Sequence, residues 1–174
     1  MASSRSPLPP TEIADRVRAR FGDDVVSFED RFGHAVVTVT LERYHEIVRF
    51  LRDDRDLAFD YFDFLGGVDR REAGIEVVTH LASTVHNHSV RVKVVADAKD
   101  PRVPTISDLF PGANWHEREA WELFGVDFEG HPHLVKLLLP EPFEGNPLRK
   151  DFELMTRVAK PWPGEAEGEE AEEE

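Results

Sequence analysis

Trp115-His116-Glu117-Arg118-Glu119-Ala120-Trp121-Glu122-Leu123-Phe124-Gly125 is the stretch on which the rest of the chain turns. Its spacing predicts a helix. Asn114 stands where an N-cap would, and Glu117, three residues on, would complete a capping box. Gly125 falls where a C′ glycine ends a helix. On a wheel of ~100° per residue, Leu123, Ala120, Phe124 and Trp121 form a wide apolar arc. Arg118, Glu119 and Glu122 gather opposite, around Trp115. Arg118 and Glu122 are four apart and are expected to pair, which contributes only roughly a few tenths of a kcal/mol on an exposed face.

Downstream the character changes. Pro132, Pro140, Pro142, Pro147, Pro161 and Pro163 forbid a long helix or a central strand. Yet Leu134, Val135, Leu137, Leu138, Leu139, Phe143, Leu148, Phe152 and Leu154 need burial. An apolar arm with little regular structure is expected to find that burial against a neighbouring subunit. At ~3.3 Å per residue, roughly thirty residues could reach most of the way around one.

Upstream, Ile13, Val17 and Phe21 recur every fourth residue behind Thr11, a candidate cap, and predict a short helix. Residues 25–28 and 34–41 read as a hairpin turning at Phe32-Gly33. Tyr44, Ile47, Val48 and Leu51 mark an amphipathic helix over residues 43–55. Strands are predicted over 57–62, stopping near a turn at Gly66-Gly67, and over 75–81 and 89–95, where apolar and polar residues alternate. This order predicts an α+β domain, its sheet antiparallel or mixed with helices on one face, followed by a helix and an extended C-terminal docking arm. The expected divisions are a flexible leader (1–10), the α+β domain (11–100), a linker with the signature helix (101–125), an extended interaction arm (126–160) and a disordered acidic tail (161–174).

Composition narrows the chemistry. The chain has 174 residues and no cysteine, which removes disulfides and thiolate-bound zinc or iron–sulfur centres. Its formal net charge of −14 opposes nucleic-acid binding. Much of that charge lies in Glu165, Glu167, Glu169, Glu170, Glu172, Glu173 and Glu174, a block that repels itself and stays solvated. No apolar run approaches the ~20 residues of a membrane-spanning helix, so any membrane association is expected to come through a partner.

Catalytic readings find little support. His86-Asn87-His88 and His131-Pro132-His133 invite a metal site, and a stand-alone metal-dependent enzyme built on these four histidines is the reading from a different class. Spacing fixes no third ligand, and His116-Glu117-Arg118-Glu119-Ala120 lacks the second histidine of a zinc-protease helix. Glu117, Glu119 and Glu122 could act as acids or bases, but at this spacing a charged helix face accounts for them. There is no phosphate loop of glycines and no Gly-x-Ser-x-Gly elbow.

The run from Glu117 to Pro132 resembles the signature of the thirty-kilodalton subunit (the C subunit) of respiratory complex I, the NADH-quinone oxidoreductase. The carriers are Glu117-Arg118-Glu119, Glu122-Leu123-Phe124-Gly125 and Gly130-His131-Pro132, followed in order by Leu137-Leu138-Leu139-Pro140 and Pro147-Leu148-Arg149-Lys150-Asp151-Phe152. The likeness is strongest over residues 105–154. One departure is Val135, which stands where the family has a basic residue, with Lys136 adjacent; a second is the acidic extension after Lys160.

The resemblance implies a non-catalytic scaffold of the peripheral arm, docked on the hydrogenase-like D subunit and flanked by iron–sulfur subunits. NADH, FMN, iron–sulfur clusters and quinone would be used through other subunits, with no catalytic, cofactor or metal residue here. Such a complex translocates protons and sits at the cytoplasmic face of the bacterial plasma membrane. The implied subunit interface comprises Arg118, Glu119, Trp121, Glu122, Phe124, Gly125, Phe128, Gly130, His131, Pro132, Pro147, Arg149, Lys150 and Asp151. The nearest rival keeps this architecture in a ferredoxin- or F420-dependent dehydrogenase or an energy-conserving hydrogenase.

Overall fold

The computed structural model describes residues 7–153. The first six residues of the leader, the last part of the arm and the acidic tail lie outside them.

Two helices and five strands come first: α1 (Pro10–Phe21), β1 (Val25–Arg31), β2 (His34–Val39), α2 (Tyr44–Asp53), β3 (Tyr61–Asp69), β4 (Ile75–Ala82) and β5 (Ser89–Ala96). The strands form one sheet in the order β1-β2-β5-β4-β3, with β2 and β5 parallel and the other neighbours antiparallel. The sheet is therefore mixed. Ile75, Val77, Thr79 and Leu81 alternate onto one buried face of β4. Against that face α2 buries Tyr44, Ile47, Val48 and Leu51 completely, as its spacing predicts, and the Tyr44 hydroxyl meets Thr79 Oγ1 at 2.6 Å. At the hairpin, Phe32 and Gly33 both take positive φ (56° and 79°), the geometry that lets two strands reverse tightly.

Three local expectations need correction. Helix α1 starts at Pro10 with Pro9 as its cap, and no side chain caps it; a proline at the first helical position loses no hydrogen bond, so Thr11 is not needed there. The segment read as a strand over 57–62 begins as a loop. Leu57 and Phe59 are wholly buried in it, and Ala58 adopts φ 43°, so their apolar character reflects burial rather than strand pairing. The strand itself runs through Gly66-Gly67 instead of stopping there.

Gly67 serves packing. A Cβ on Gly67 would lie 2.6 Å from Phe124 Cδ2 and 2.9 Å from Cγ, deep in the ring rather than at a movable tip. Gly67→Ala is therefore expected to cost about 1–3 kcal/mol by overpacking, seen as a lower midpoint in urea unfolding. An unchanged midpoint would mean the ring slides aside freely.

The region read as a linker is also built into the fold. β6 (Arg102–Pro104), α3 (Ala113–Phe124) and β7 (Asp127–Glu129) form a small unit in which the two short strands pair in parallel. A parallel pair needs a crossover, and α3 supplies it. Val103, Ile106, Phe110, Ala113, Ala120, Val126 and Phe128 belong to the same apolar core as Ile13 and Val92. Among the described residues no helix or strand follows Glu129, as the prolines dictate.

Candidate subunit interface

Helix α3 starts at Ala113 after Gly112, with no side-chain cap, and ends at Gly125 in the left-handed region (φ 76°). The C-terminus matches its sequence and the N-terminus does not. Glu117 caps nothing; it faces inward and is fully buried. Its carboxylate accepts from Thr105 Oγ1 and, at 2.7 Å, from the Ile106 N–H, tying the turn after β6 to the helix. Burial pushes its pKa up to about 7, against the pull of those two donors. The His131 side chain is also buried, with Nε2 3.9 Å from Glu117 and 3.4 Å from the Asn114 carbonyl; burial lowers its pKa.

The opposite side of α3 carries the arm. From His131, beside Asn114, the chain runs along the helix toward its C-terminus. Arg118 does not pair with Glu122. It donates to the Val135 carbonyl (3.0 Å) and the Lys136 carbonyl (3.1 Å) while stacking 5.1 Å above Trp115. Glu122, only 4% exposed, accepts three successive backbone N–H groups, from Leu137 (2.9 Å), Leu138 (2.8 Å) and Leu139 (2.6 Å). Desolvation raises its pKa, but these donors together with Lys136 outweigh that and leave it lowered. Lys136 Nζ closes the loop from below, donating to the carbonyls of Glu141 (2.9 Å) and Phe143 (2.8 Å).

Further on, Asn146 Nδ2 donates to the Glu122 carbonyl (2.9 Å) and the Leu148 N–H to the Leu123 carbonyl (3.0 Å). Arg149 reaches the Ala98 carbonyl (2.6 Å) and the Lys150 N–H reaches Asp69 (2.7 Å). That amide, with the Arg71 N–H, holds the Asp69 carboxyl below the usual range. The arm thus finds partners on its own domain before any neighbour arrives.

This sorts the predicted interface residues. Phe128, Glu122 and the His131 side chain point inward and shape the surface instead of forming it. Arg118 and Arg149 are half-buried and hold the arm. Gly125 sits so close to Asn146 that a Cβ would lie 2.8 Å from its Oδ1. Trp121, Phe124 and Pro147 are half-buried, whereas Glu119, Gly130, Pro132, Lys150 and Asp151 are exposed. The Glu119 carboxylate makes no hydrogen bond or ion pair among the described residues. On the same helix and arm, apolar groups are left in the open: Trp115 (59% exposed), Val135 (37%) and Leu138 (60%). Val135 shows its side chain outward and gives its carbonyl to Arg118. Sequence reading missed Asn146, Asp69, Thr105 and Lys136 as bracing residues. Glu117 did carry a signal, since it lies one turn before Ala120 and Trp121 on the apolar arc.

His86 and His88 lie against the Arg55 (3.1 Å) and Leu57 (2.7 Å) carbonyls, and His88 Nδ1 accepts the Leu8 N–H, fixing the end of the leader. His131 sits elsewhere, at α3. No cluster of three or more metal-ligating side chains occurs among the described residues.

Residues 37–158 match the family model described as the respiratory-chain NADH dehydrogenase, 30 Kd subunit. In a Roseiflexus species (strain RS-1), the C subunit of NADH-quinone oxidoreductase is 43% identical over 144 residues, covering 82% of this chain and 83% of that one. In Salmonella heidelberg the relative is named the C/D subunit of NADH-quinone oxidoreductase: 41% identity over 150 residues covers 80% of this chain but 25% of that protein. Among solved structures, a trypsin-resistant fragment of Nqo5 superposes with TM-score 0.61 at 29% identity, covering 71% of this chain and 98% of the fragment. A chain of a membrane-bound sulfane sulfur reductase, an archaeal respiratory membrane complex, shares the fold with TM-score 0.67 at 22% identity, over 94% of this chain and 97% of that one.

Proposed function

Because the chain belongs to the thirty-kilodalton subunit family of the respiratory-chain NADH dehydrogenase, we propose that it is a non-catalytic scaffold that docks on the hydrogenase-like D subunit through α3 and the arm. The observation that carries this reading is the braced loop. The hydrogen bonds from or to Arg118, Glu122 and Lys136 hold the loop with Val135 and Leu138 outward. A surface ordered in advance loses less entropy on docking. Fusion of C with D under one name in relatives supports D as the occupant. NADH, FMN, iron–sulfur clusters and quinone then act through other subunits, iron–sulfur subunits flank this one, and the complex translocates protons at the cytoplasmic face of the plasma membrane. No helix of the described residues is long and apolar enough to cross a membrane, which is consistent with a peripheral position.

The test uses exposed residues that brace nothing. Leu138→Asp and Glu119→Ala are expected to lower the amount of assembled complex several-fold, Leu138→Asp more strongly. The melting temperature of the purified chain and the activity per assembled complex stay unchanged. Normal assembly, or an assembled complex that no longer reduces quinone, would overturn the scaffold reading. The rival placement in a ferredoxin- or F420-dependent machine predicts that no FMN- and NADH-binding partner co-purifies.

A further inference from the structure

All three helices lie on one side of the five-stranded sheet. The other side carries its own long side chains, which leave Val36 only 3% exposed. Its central row runs straight across the strands by register: Glu29 on β1, Val36 on β2, Arg91 on β5, His80 on β4 and Phe64 on β3. Two rows away, Val95 and Val68 flank Glu76 and are 42% and 37% exposed.

The charges on this face are nearly all spent. Glu76 faces Arg70 (3.0 Å) and Lys93 (3.7 Å), Asp63 holds His80 Nδ1 at 2.7 Å, and Glu29 takes Arg31. Arg91, on the central strand, forms no ion pair among the described residues, and its Nε–H is buried without an acceptor. Its cross-strand neighbour His80 has an equally buried, unpartnered Nε2. An arginine at the centre of a face with apolar shoulders has the makeup of an interface hot spot.

We propose that this open face is a second docking surface, which takes an acidic segment of another protein subunit of the same complex. One carboxylate of that segment accepts from the Arg91 guanidinium, while apolar side chains cover Phe64, Val68 and Val95. Charge complementarity selects the occupant. This chain carries −14 overall, yet on this face one carboxylate, Glu76, serves both Arg70 and Lys93, and Arg91 has no ion pair among the described residues, so the local surplus is cationic. The surface lies across the sheet from α3 and the arm, so it does not compete with docking there.

A benzophenone amino acid placed at Val95 in the full chain, within the membrane complex, tests this on irradiation. The expected result is a cross-link to one other subunit, its yield reduced about tenfold by Arg91→Glu. A second probe at Leu138 cross-links as before, which separates failure here from failure of docking through the arm. Where the Arg91→Glu chain does not accumulate, Arg91→Met is read against the same criterion. A cross-link to a second copy of this chain, no cross-link at all, or a yield indifferent to Arg91 would overturn the proposal.

Discussion

Glu122→Ala is expected to release the arm from α3. The carboxylate receives three backbone N–H groups in a site that is 4% exposed, and hydrogen bonds to a charged group contribute about 1.5–3 kcal/mol each. Losing all three, with some relief as the freed amides find water, should cost the closed arm about 4 kcal/mol, roughly a thousandfold in opening equilibrium. Amide hydrogen exchange at Leu137, Leu138 and Leu139 reads this directly, and assembled complex should fall with it. Glu122→Gln, with one acceptor oxygen, lies between. The pH dependence has a fixed sign. A carboxyl whose pKa is lowered in the fold stabilises it above the ordinary glutamate value, and that stabilisation is lost as pH falls through the lower folded value. The Leu137–Leu139 stretch of the native chain should therefore loosen in acid, and the same stretch in Glu122→Gln should not respond, whereas the Asp69–Lys150 tie further along loosens in both. Unchanged exchange in Glu122→Ala would mean the loop is held by Lys136 and Asn146 alone.

What the sequence disclosed follows from where each constraint originates. Residues Tyr44, Ile47, Val48 and Leu51 all meet one core, so their period names α2 without ambiguity. The alternation in β4 and β5 works likewise because only one face of the sheet is covered. Leu57 and Phe59 mislead because burial in a loop and burial in a strand leave the same residue types. Strands of three residues, as in β6 and β7, are too short to show any period. The bracing of the arm is least legible, since the partners of Glu122, Lys136 and Arg118 are backbone groups, identical at every position. Periodicity correctly places Arg118 and Glu122 away from the core; only the fold reveals that this chain's own arm occupies that face.

Glu117 should make stability fall as pH rises. Its folded pKa of about 7 stands above the ordinary value of 4.5, so the protonated form is the one the fold prefers. That preference contributes fully below the unfolded pKa and is lost as pH climbs through 7. A tenfold change in proton affinity is worth ~1.4 kcal/mol, so the loss amounts to about 3 kcal/mol between acid and mildly alkaline solution. Glu117→Gln keeps an acceptor for the Ile106 N–H and removes the ionisation, so its unfolding free energy should be flat across this range and exceed the native chain's at about pH 8. Glu117→Ala removes the acceptor and opens a cavity beside Thr105 and His131, which should cost about 3–5 kcal/mol. Urea unfolding of the purified chain at about pH 5 and about pH 8 distinguishes the cases. If Gln destabilises equally at both, the carboxyl is ionised throughout, and its bonds to Thr105 and Ile106 outweigh its burial. The first glutamate of the Glu117-Arg118-Glu119 motif would then be retained for a charge that the buried turn requires, rather than for a proton it holds.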